Sequence, residues 1–451
     1  MKTGDAPLAL GTEDTGKLLM QYAIPAIIAM TASSLYNITD SIFIGHGVGA
    51  MALSGLAITF PLMNLSAAFG SLVGMGSSTL LSVRLGQRDY ETANNILGNV
   101  FALNIIIGFA YMVVVLMFLD PILYFFGASA DTLPYAHDFM KILLFGNIVT
   151  HLYFGLNALL RSAGKPQKSM YATIFTILLN MVLNPLFIFG FGWGIKGSAW
   201  ATVISQVAVL LWQIHLFSDK SQFIHLKKGI YRLKQSIVKD TFAIGMSPFL
   251  MNVAACVIVV LINQGLIKTG GDLAVGAYGI VNRVAFLLVM LVMGLNQGMQ
   301  PIAGYNFGAK LYTRVQAVLK KSVFIATFVM TFGALAVELF PHAVASIFTT
   351  DQQLTDLAAT GLRYIFMSYP LVGFQMVVSV FFQSIGMAKK AIFLSLTRQV
   401  FFLIPCLLTL PGLMGITGVW LSMPVSDFIA FFVTAALLWR QIRQFNRLDT
   451  K

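Results

Sequence analysis

The sequence predicts an all-α integral membrane protein of twelve transmembrane helices, arranged as two six-helix lobes related by pseudo-two-fold symmetry. Three observations lead there. Of the 451 residues, 57% are hydrophobic and only 10% are charged, with a mean hydropathy of +0.81. A water-soluble domain carries about 25% charged residues, so this chain has too few to cover a surface facing water. Second, the apolar residues fall in long runs, each near the roughly 20 residues a spanning helix needs. Third, the second half of the chain repeats the first.

The runs lie at about 18–45, 52–83, 94–118, 134–160, 168–190 and 196–217, and again at about 241–267, 274–306, 315–340, 358–385, 388–410 and 416–440. Their length separates them from buried strands. Between the sets lies a polar, basic segment, 218–240. The expected organisation is a first lobe over 1–217, a linker over 218–240 and a second lobe over 241–451. The opening residues, MKTGDAPLALGTEDTG, lack the basic-then-apolar order of a cleaved signal, so the first helix is expected to persist in the mature protein.

The net charge of +12 is topogenic. With the N-terminus inside, 23 of the 29 Lys and Arg residues fall in inner segments, four lie within helices, and only Lys196 and Lys268 lie outside. Cytoplasmic loops retain basic residues, so both termini are expected in the cytoplasm of a multi-pass cell-membrane protein, the inner membrane in a Gram-negative cell. Nucleic acid is excluded as a partner; membrane lipids surround the chain, and a monomer is expected. Cys256 and Cys406 sit inside apolar runs and read as small core residues, not a disulfide or metal pair.

Offset by about 222 residues, LRSAGKPQK at 160–168 falls on FQSIGMAKK at 382–390, and LGQRDY at 85–90 on FGAKLY at 307–312. GIKGSAW at 194–200 falls on GITGVW at 415–420, and Lys141 on Arg363. Six helices is an even number, so the halves enter the membrane in the same sense as parallel repeats. A site between two such lobes opens to either side as they rock, which is alternating access.

A charge within the bilayer is costly, about 3 kcal/mol on insertion scales, so intramembrane acids mark candidate sites. Asp40 and Asp427 lie inside helical runs; Asp138 and Glu338 lie nearer helix ends. Asp40, in SLYNITDSIFIG, reads either as a proton- or cation-binding carboxylate or as a helix-end acid in contact with water. Asn180 and Asn184 are four apart on the fifth run and share a face. Pro185 follows and frees the Met181 carbonyl. That set reads as an oxygen-rich cation patch or as ordinary interhelical hydrogen bonding. Asn157 and Thr202 are weaker signals of the same kind. Arg283, Arg398 and Asp427 fall deep in the second lobe, and Asp427 is expected to pair with at least one of the arginines, as a structural ion pair or as a second ion site. No phosphate-binding loop and no metal-spaced histidines occur. An enzyme is therefore not expected, and no cofactor beyond a coupling ion.

These stretches resemble the multidrug and toxic compound extrusion family along nearly the whole chain. The resemblance rests on AIPAI at 23–27, YNITDSIFIG at 36–45, GLNALLRSAGKPQKSM at 155–170, LNMVLNPLFIFG at 179–190, GIKGSAWATVISQ at 194–206 and SLTRQVFFLIP at 395–405. The branch with an aspartate in the first helix is the nearest. The resemblance implies a proton- or sodium-coupled antiporter that exports amphipathic, often cationic, drugs and toxic compounds. It implies Asp40 as the coupling acid, with Asn157, Asn180, Asn184 and Thr202 around it and Tyr36, Asp40 and Asn157 lining the substrate cavity. Under sodium coupling, Asp40, Asn180, Asn184 and Thr202 would hold the metal ion. Pro25 and Pro185 would supply helix bends. Several relatives carry a second aspartate where this chain has Asn184, so the implied site holds one carboxylate. A further branch has acids in helices seven and ten, which this chain lacks. The rival readings are a lipid-linked precursor flippase of a related group, a non-transporting receptor and a membrane enzyme.

Overall fold

The structure, a computed structural model, describes residues 6–449. Among these residues, nine helices are long and apolar enough to cross a membrane, and two bent helix pairs supply one further span each. One of the nine, Gln235–Gly308, breaks at Gly271 (φ 67°, ψ −166°) and so holds two spans. That makes twelve crossings, each at an apolar run of the sequence.

In the first half, a short helix, Ala6–Thr12, precedes the first span, Thr15–Gly47. The second span is Ala50–Gly86 and the third Tyr90–Met117. The fourth is the bent pair Leu133–Phe145 and Asn147–Ser162, turned by 56°. The fifth, Pro166–Pro185, runs on into a π-helical turn, Leu186–Gly190, and the sixth is Ile195–Ser218. In the second half, the seventh and eighth spans share Gln235–Gly308 and the ninth is Tyr312–Leu339. The tenth is the pair Gln352–Phe366 and Tyr369–Ser384, bent by 52°. The eleventh comprises Ala388–Leu396, a π-helical Thr397–Leu403 and Ile404–Met414; the twelfth is Ile416–Asp449.

The duplication is written into the backbone. Arg88 and Lys310, 222 residues apart, are the two non-glycine residues with positive φ among the described residues, both at 60°. Gly49 and Gly271, and Gly164 and Gly386, share that spacing and are likewise left-handed. Short helices at Leu119–Phe125 and Pro341–Ser346 begin at matching positions. So do the breaks in the fourth and tenth spans, at Gly146 and Ser368. The runs 134–160 and 358–385 were each expected as one helix. Their composition is apolar across the break, so hydropathy carries no sign of it.

Packing divides the chain into two compact units, Met1–Thr12 with Ile28–Phe249, and Glu13–Ile27 with Leu250–Lys451. The changeover in the first span falls between Ile27 and Ile28, just after Pro25, which lacks the amide that would continue the helical ladder. The basic segment 218–240 belongs to the first unit and is pinned to the start of the third span. Asn94 donates to the Phe223 carbonyl at 2.9 Å and accepts from the His225 amide at 3.0 Å. Asn99 donates to the Arg232 carbonyl at 3.1 Å and accepts from the Lys234 amide at 2.9 Å. In the first unit, Leu62, Tyr111, Val115, Leu119, Leu123 and Met140 form one buried cluster, and the Tyr111 hydroxyl donates to the Leu62 carbonyl at 2.7 Å. Lys196 pairs with Asp138 at 3.1 Å.

Two expectations are corrected. Cys256 and Cys406, expected as core residues, are both half-buried. Arg283, expected among the deep charges, is exposed: it shares one stretch of helix surface with Asn282, while Val281 and Val284 take the buried face.

Candidate functional site

Asp40, Asn180, Asn184 and Thr202 come together in the first unit as the sequence suggested, and Ser198 joins them. Asp40 sits two turns before the end of the first span. Asn180 and Asn184 occupy the last turns of the fifth, and Ser198 and Thr202 the first turns of the sixth. Each of the last two pairs is spaced by four residues and so presents one helix face.

Hydrogen bonds close a ring. Asn184 Nδ2 and Ser198 Oγ both donate to Asp40 Oδ1, the latter at 2.9 Å. Asn184 also donates to Asn180 Oδ1 at 3.5 Å, and Asn180 Nδ2 donates to Thr202 Oγ1 at 3.1 Å. Thr202 donates to the Ser198 carbonyl at 3.2 Å, which returns the chain to Ser198. The Thr202 proton is thereby used, so the 3.3 Å contact with the Tyr36 hydroxyl has tyrosine as donor. Among the described residues both hydrogen bonds to the Asp40 carboxylate go to Oδ1 and none to Oδ2, and the buried Asn184 Oδ1 has no partner there either. Among the described residues, no ion pair involves Asp40.

Asn180, Asn184 and Ser198 are almost completely buried. One turn further along, Ile44 and Ile188 follow Asp40 and Asn184 by four residues. They join Ala52, Phe139, Ile195 and Ala199 in a buried apolar cluster that closes the ring on that side. The sixth span reaches the ring because of Gly197. A Cβ there would lie 2.9 Å from the Phe187 backbone carbon, so only glycine lets the π-helical turn and the sixth span approach this closely. π-turns of this kind recur at functional sites.

Asn157, expected beside Asp40, stands apart. Its Nδ2 donates to Thr173 Oγ1 at 3.1 Å. Thr173 precedes Asn184 by eleven residues on the fifth span, about 16 Å at 1.5 Å per residue. Ser198 was missed by sequence reasoning; its one signal is its place four residues before Thr202.

In the second unit Asp427 is buried, and the expected pairing is present: Arg398 Nε donates to Asp427 Oδ1 at 2.7 Å. Ser368, at the break of the tenth span, donates to Asp427 Oδ2 at 2.8 Å, and Gln375 Nε2 donates to the Asp427 carbonyl at 2.6 Å. No group of three or more His, Cys, Asp or Glu able to hold a metal occurs among the described residues. What the first ring presents instead is one carboxylate with a free oxygen beside one free amide oxygen.

Comparison with known proteins agrees with this architecture. The MatE family pattern matches residues 25–186 and 244–408, one stretch in each half. The multidrug export protein MepA of Staphylococcus haemolyticus is 28% identical over 425 residues, 93% of each chain. MepA of Staphylococcus aureus is 27% identical over 434 residues, covering 96% of this chain and 95% of that one. Among solved structures, a MATE protein in the bent conformation superposes with a TM-score of 0.93 at 23% identity over both whole chains. A transporter of the MOP superfamily from Pyrococcus furiosus, described as having a binding pocket of reverse polarity, does so at 0.91 and 24%, again over both whole chains. At these identities the structural likeness carries the fold, while the family pattern covers well over half of the sequence. The chain belongs to the MatE family, whose members are membrane efflux transporters and not enzymes.

Proposed function

We propose that the protein is a cation-coupled antiporter of the cell membrane that expels amphipathic, often cationic, compounds by alternating access, with Asp40 as the coupling acid. The observation that carries this reading is the setting of Asp40. It is a carboxylate within a spanning helix whose partners are neutral donors, and one of its oxygens is unassigned. An intramembrane acid with no counter-charge is costly to keep ionised. A bound cation removes that cost, so its binding and release can be linked to a change of state. The multidrug export relatives support the substrate class.

The donor set favours the proton. A hard cation such as sodium is held by several oxygens. Here the amides of Asn180 and Asn184 turn nitrogens toward their neighbours, and of the ring's carboxylate and amide oxygens Asp40 Oδ2 and Asn184 Oδ1 accept no hydrogen bond among the described residues. Protonation of Oδ2 needs no further ligand. In the proposed cycle the outward-facing site takes up the proton and releases the exported compound. The inward-facing site gives up the proton and accepts the next compound. The basic side of the chain, and with it both termini, lies in the cytoplasm.

The test is efflux of a cationic dye from proteoliposomes, with proton and sodium gradients imposed separately, for wild type and Asp40→Asn. The proposal expects a proton gradient alone to drive wild-type efflux and Asp40→Asn to lose it. A fully coupled Asp40→Asn variant overturns the role of Asp40. Efflux that responds only to sodium overturns the choice of ion.

A further inference from the structure

The Arg398–Asp427 pair leaves something over. Asp427 is met at every oxygen: one carboxylate oxygen takes Arg398 Nε, the other takes Ser368, and its carbonyl takes Gln375. Arg398 is not saturated. It meets Asp427 side-on through Nε, and its two Nη groups have no hydrogen-bond partner among the described residues. Its side chain keeps 32% of its surface exposed, against 5% for Asp427.

Depth makes that exposure informative. Arg398 lies ten residues into the eleventh span and Asp427 eleven into the twelfth, each about 15 Å along a bilayer core of about 30 Å. Arginines at this depth almost always face the bundle interior or a water-filled cavity, because a guanidinium against hydrocarbon is costly. The backbone is irregular at the same level: the tenth span breaks at Ser368 and the eleventh is π-helical over Thr397–Leu403. Interrupted helices at the midplane are where transporters of this general design place their sites. Phe393 and Phe401, on the same stretch as Arg398, are both exposed, with ring centroids 6.4 Å apart.

Resting on the efflux reading above, we propose that the free edge of Arg398 receives the carboxylate of those exported compounds that carry one, which makes Arg398 a specificity-determining residue of the second lobe. Two parallel N–H donors on a planar fork match a carboxylate, and such charge-assisted pairs are about twice as strong as neutral ones. Asp427 and Ser368 are positioning residues: they fix the guanidinium through Nε and leave its outer edge clear. Phe393 and Phe401 offer an apolar surface for the body of the same molecule.

The test compares two dyes in proteoliposomes, a rhodamine with a free benzoate and the methyl ester of that rhodamine. They differ only in the anionic group. The readout is the ratio of initial efflux rates, acid over ester, which is insensitive to a general loss of active protein. In the wild type both dyes move. In Arg398→Gln the ratio falls tenfold or more, and in Arg398→Lys, which keeps the charge but loses the fork, it falls less. The double variant Arg398→Gln/Asp427→Asn removes the unpaired buried carboxylate and shows the same fall, which keeps the test valid should the single variant fold poorly. A ratio within twofold of wild type in these variants overturns the inference, as does a wild type that exports the ester but not the acid. A wild type that exports neither dye overturns the efflux reading itself.

Discussion

Ser198 Oγ donates to Asp40 Oδ1 at 2.9 Å, joining the sixth span to the first across 158 residues of chain. With Asn184 it places two neutral donors on a single carboxylate oxygen and leaves the other open. A hydrogen bond to a charged group contributes about 1.5–3 kcal/mol. Ser198→Ala is therefore expected to slow coupled efflux about tenfold while leaving the chain folded, and Ser198→Thr, which retains the hydroxyl, to restore most of it. Initial efflux rates under a fixed gradient read both. Equal rates for Ser198→Ala and wild type would mean that Ser198 does not act on Asp40.

Asp427 is the opposite case, an acid whose charge is met. Removing one partner of a fully buried pair costs about 3–5 kcal/mol, because the other charge is left alone. Arg398 keeps a third of its surface, so the expected loss for Arg398→Ala is smaller, roughly 2–3 kcal/mol. Arg398→Ala/Asp427→Asn should lose less than Arg398→Ala alone, since no bare carboxylate remains. Thermal unfolding of the purified protein in detergent separates the two. A double variant less stable than the single one would mean that the pair does not act as a unit.

Much of this was legible in the sequence, and the failures have physical causes. Twelve apolar runs and their repeat gave the spans, because lipid imposes length and composition on each. The polar ring was visible in Asp40, Asn180, Asn184 and Thr202, because such residues within a span are expensive enough to stand out. Ser198 did not stand out: a lone serine is cheap to bury and common in spanning helices. Asn157 misled, because its type was right but its depth is set by packing. The helix breaks at Gly146 and Ser368 and the π-turns left no trace in hydropathy. The repeat also predicts backbone better than chemistry. Asp40 maps onto Ile262 and Asn184 onto Cys406, so the two halves kept their bends and diverged in their sites.

Gly197 tests whether the ring depends on close helix approach. A Cβ at this position would meet the Phe187 backbone at 2.9 Å, and backbone has no rotamer by which to yield. Overpacking of this kind costs typically about 1–3 kcal/mol. Gly197→Ala should push the start of the sixth span off the π-helical turn and carry the adjacent Ser198 with it. It should thus lower both the melting temperature and the efflux rate, where Ser198→Ala lowers chiefly the rate. An unaltered efflux rate in Gly197→Ala would show that the ring tolerates this displacement.

Lys165 offers a pH test outside the spans. It lies between the fourth and fifth spans, and burial, followed by the like charge of Lys168, pushes its amine down from 10.5 to about 8; Asp219 opposes this. Asp219 is itself held at about 2, chiefly by hydrogen bonds from the Ser221 hydroxyl, the Ser221 amide and Gln222. For Lys165 the folded value lies below the unfolded one, so folding favours the neutral amine. Below pH 8 both states are charged and the folded protein bears the full cost. As pH rises from about 8 toward 10.5 that cost is relieved and stability increases. Acylation of Lys165, followed by mass spectrometry across a pH series, should show a midpoint near pH 8. Lys165→Gln should be at least as stable as wild type at pH 7, with any advantage gone above pH 10.5. A Lys165 midpoint near 10.5 would show that this lysine is neither desolvated nor crowded by Lys168 in the folded protein.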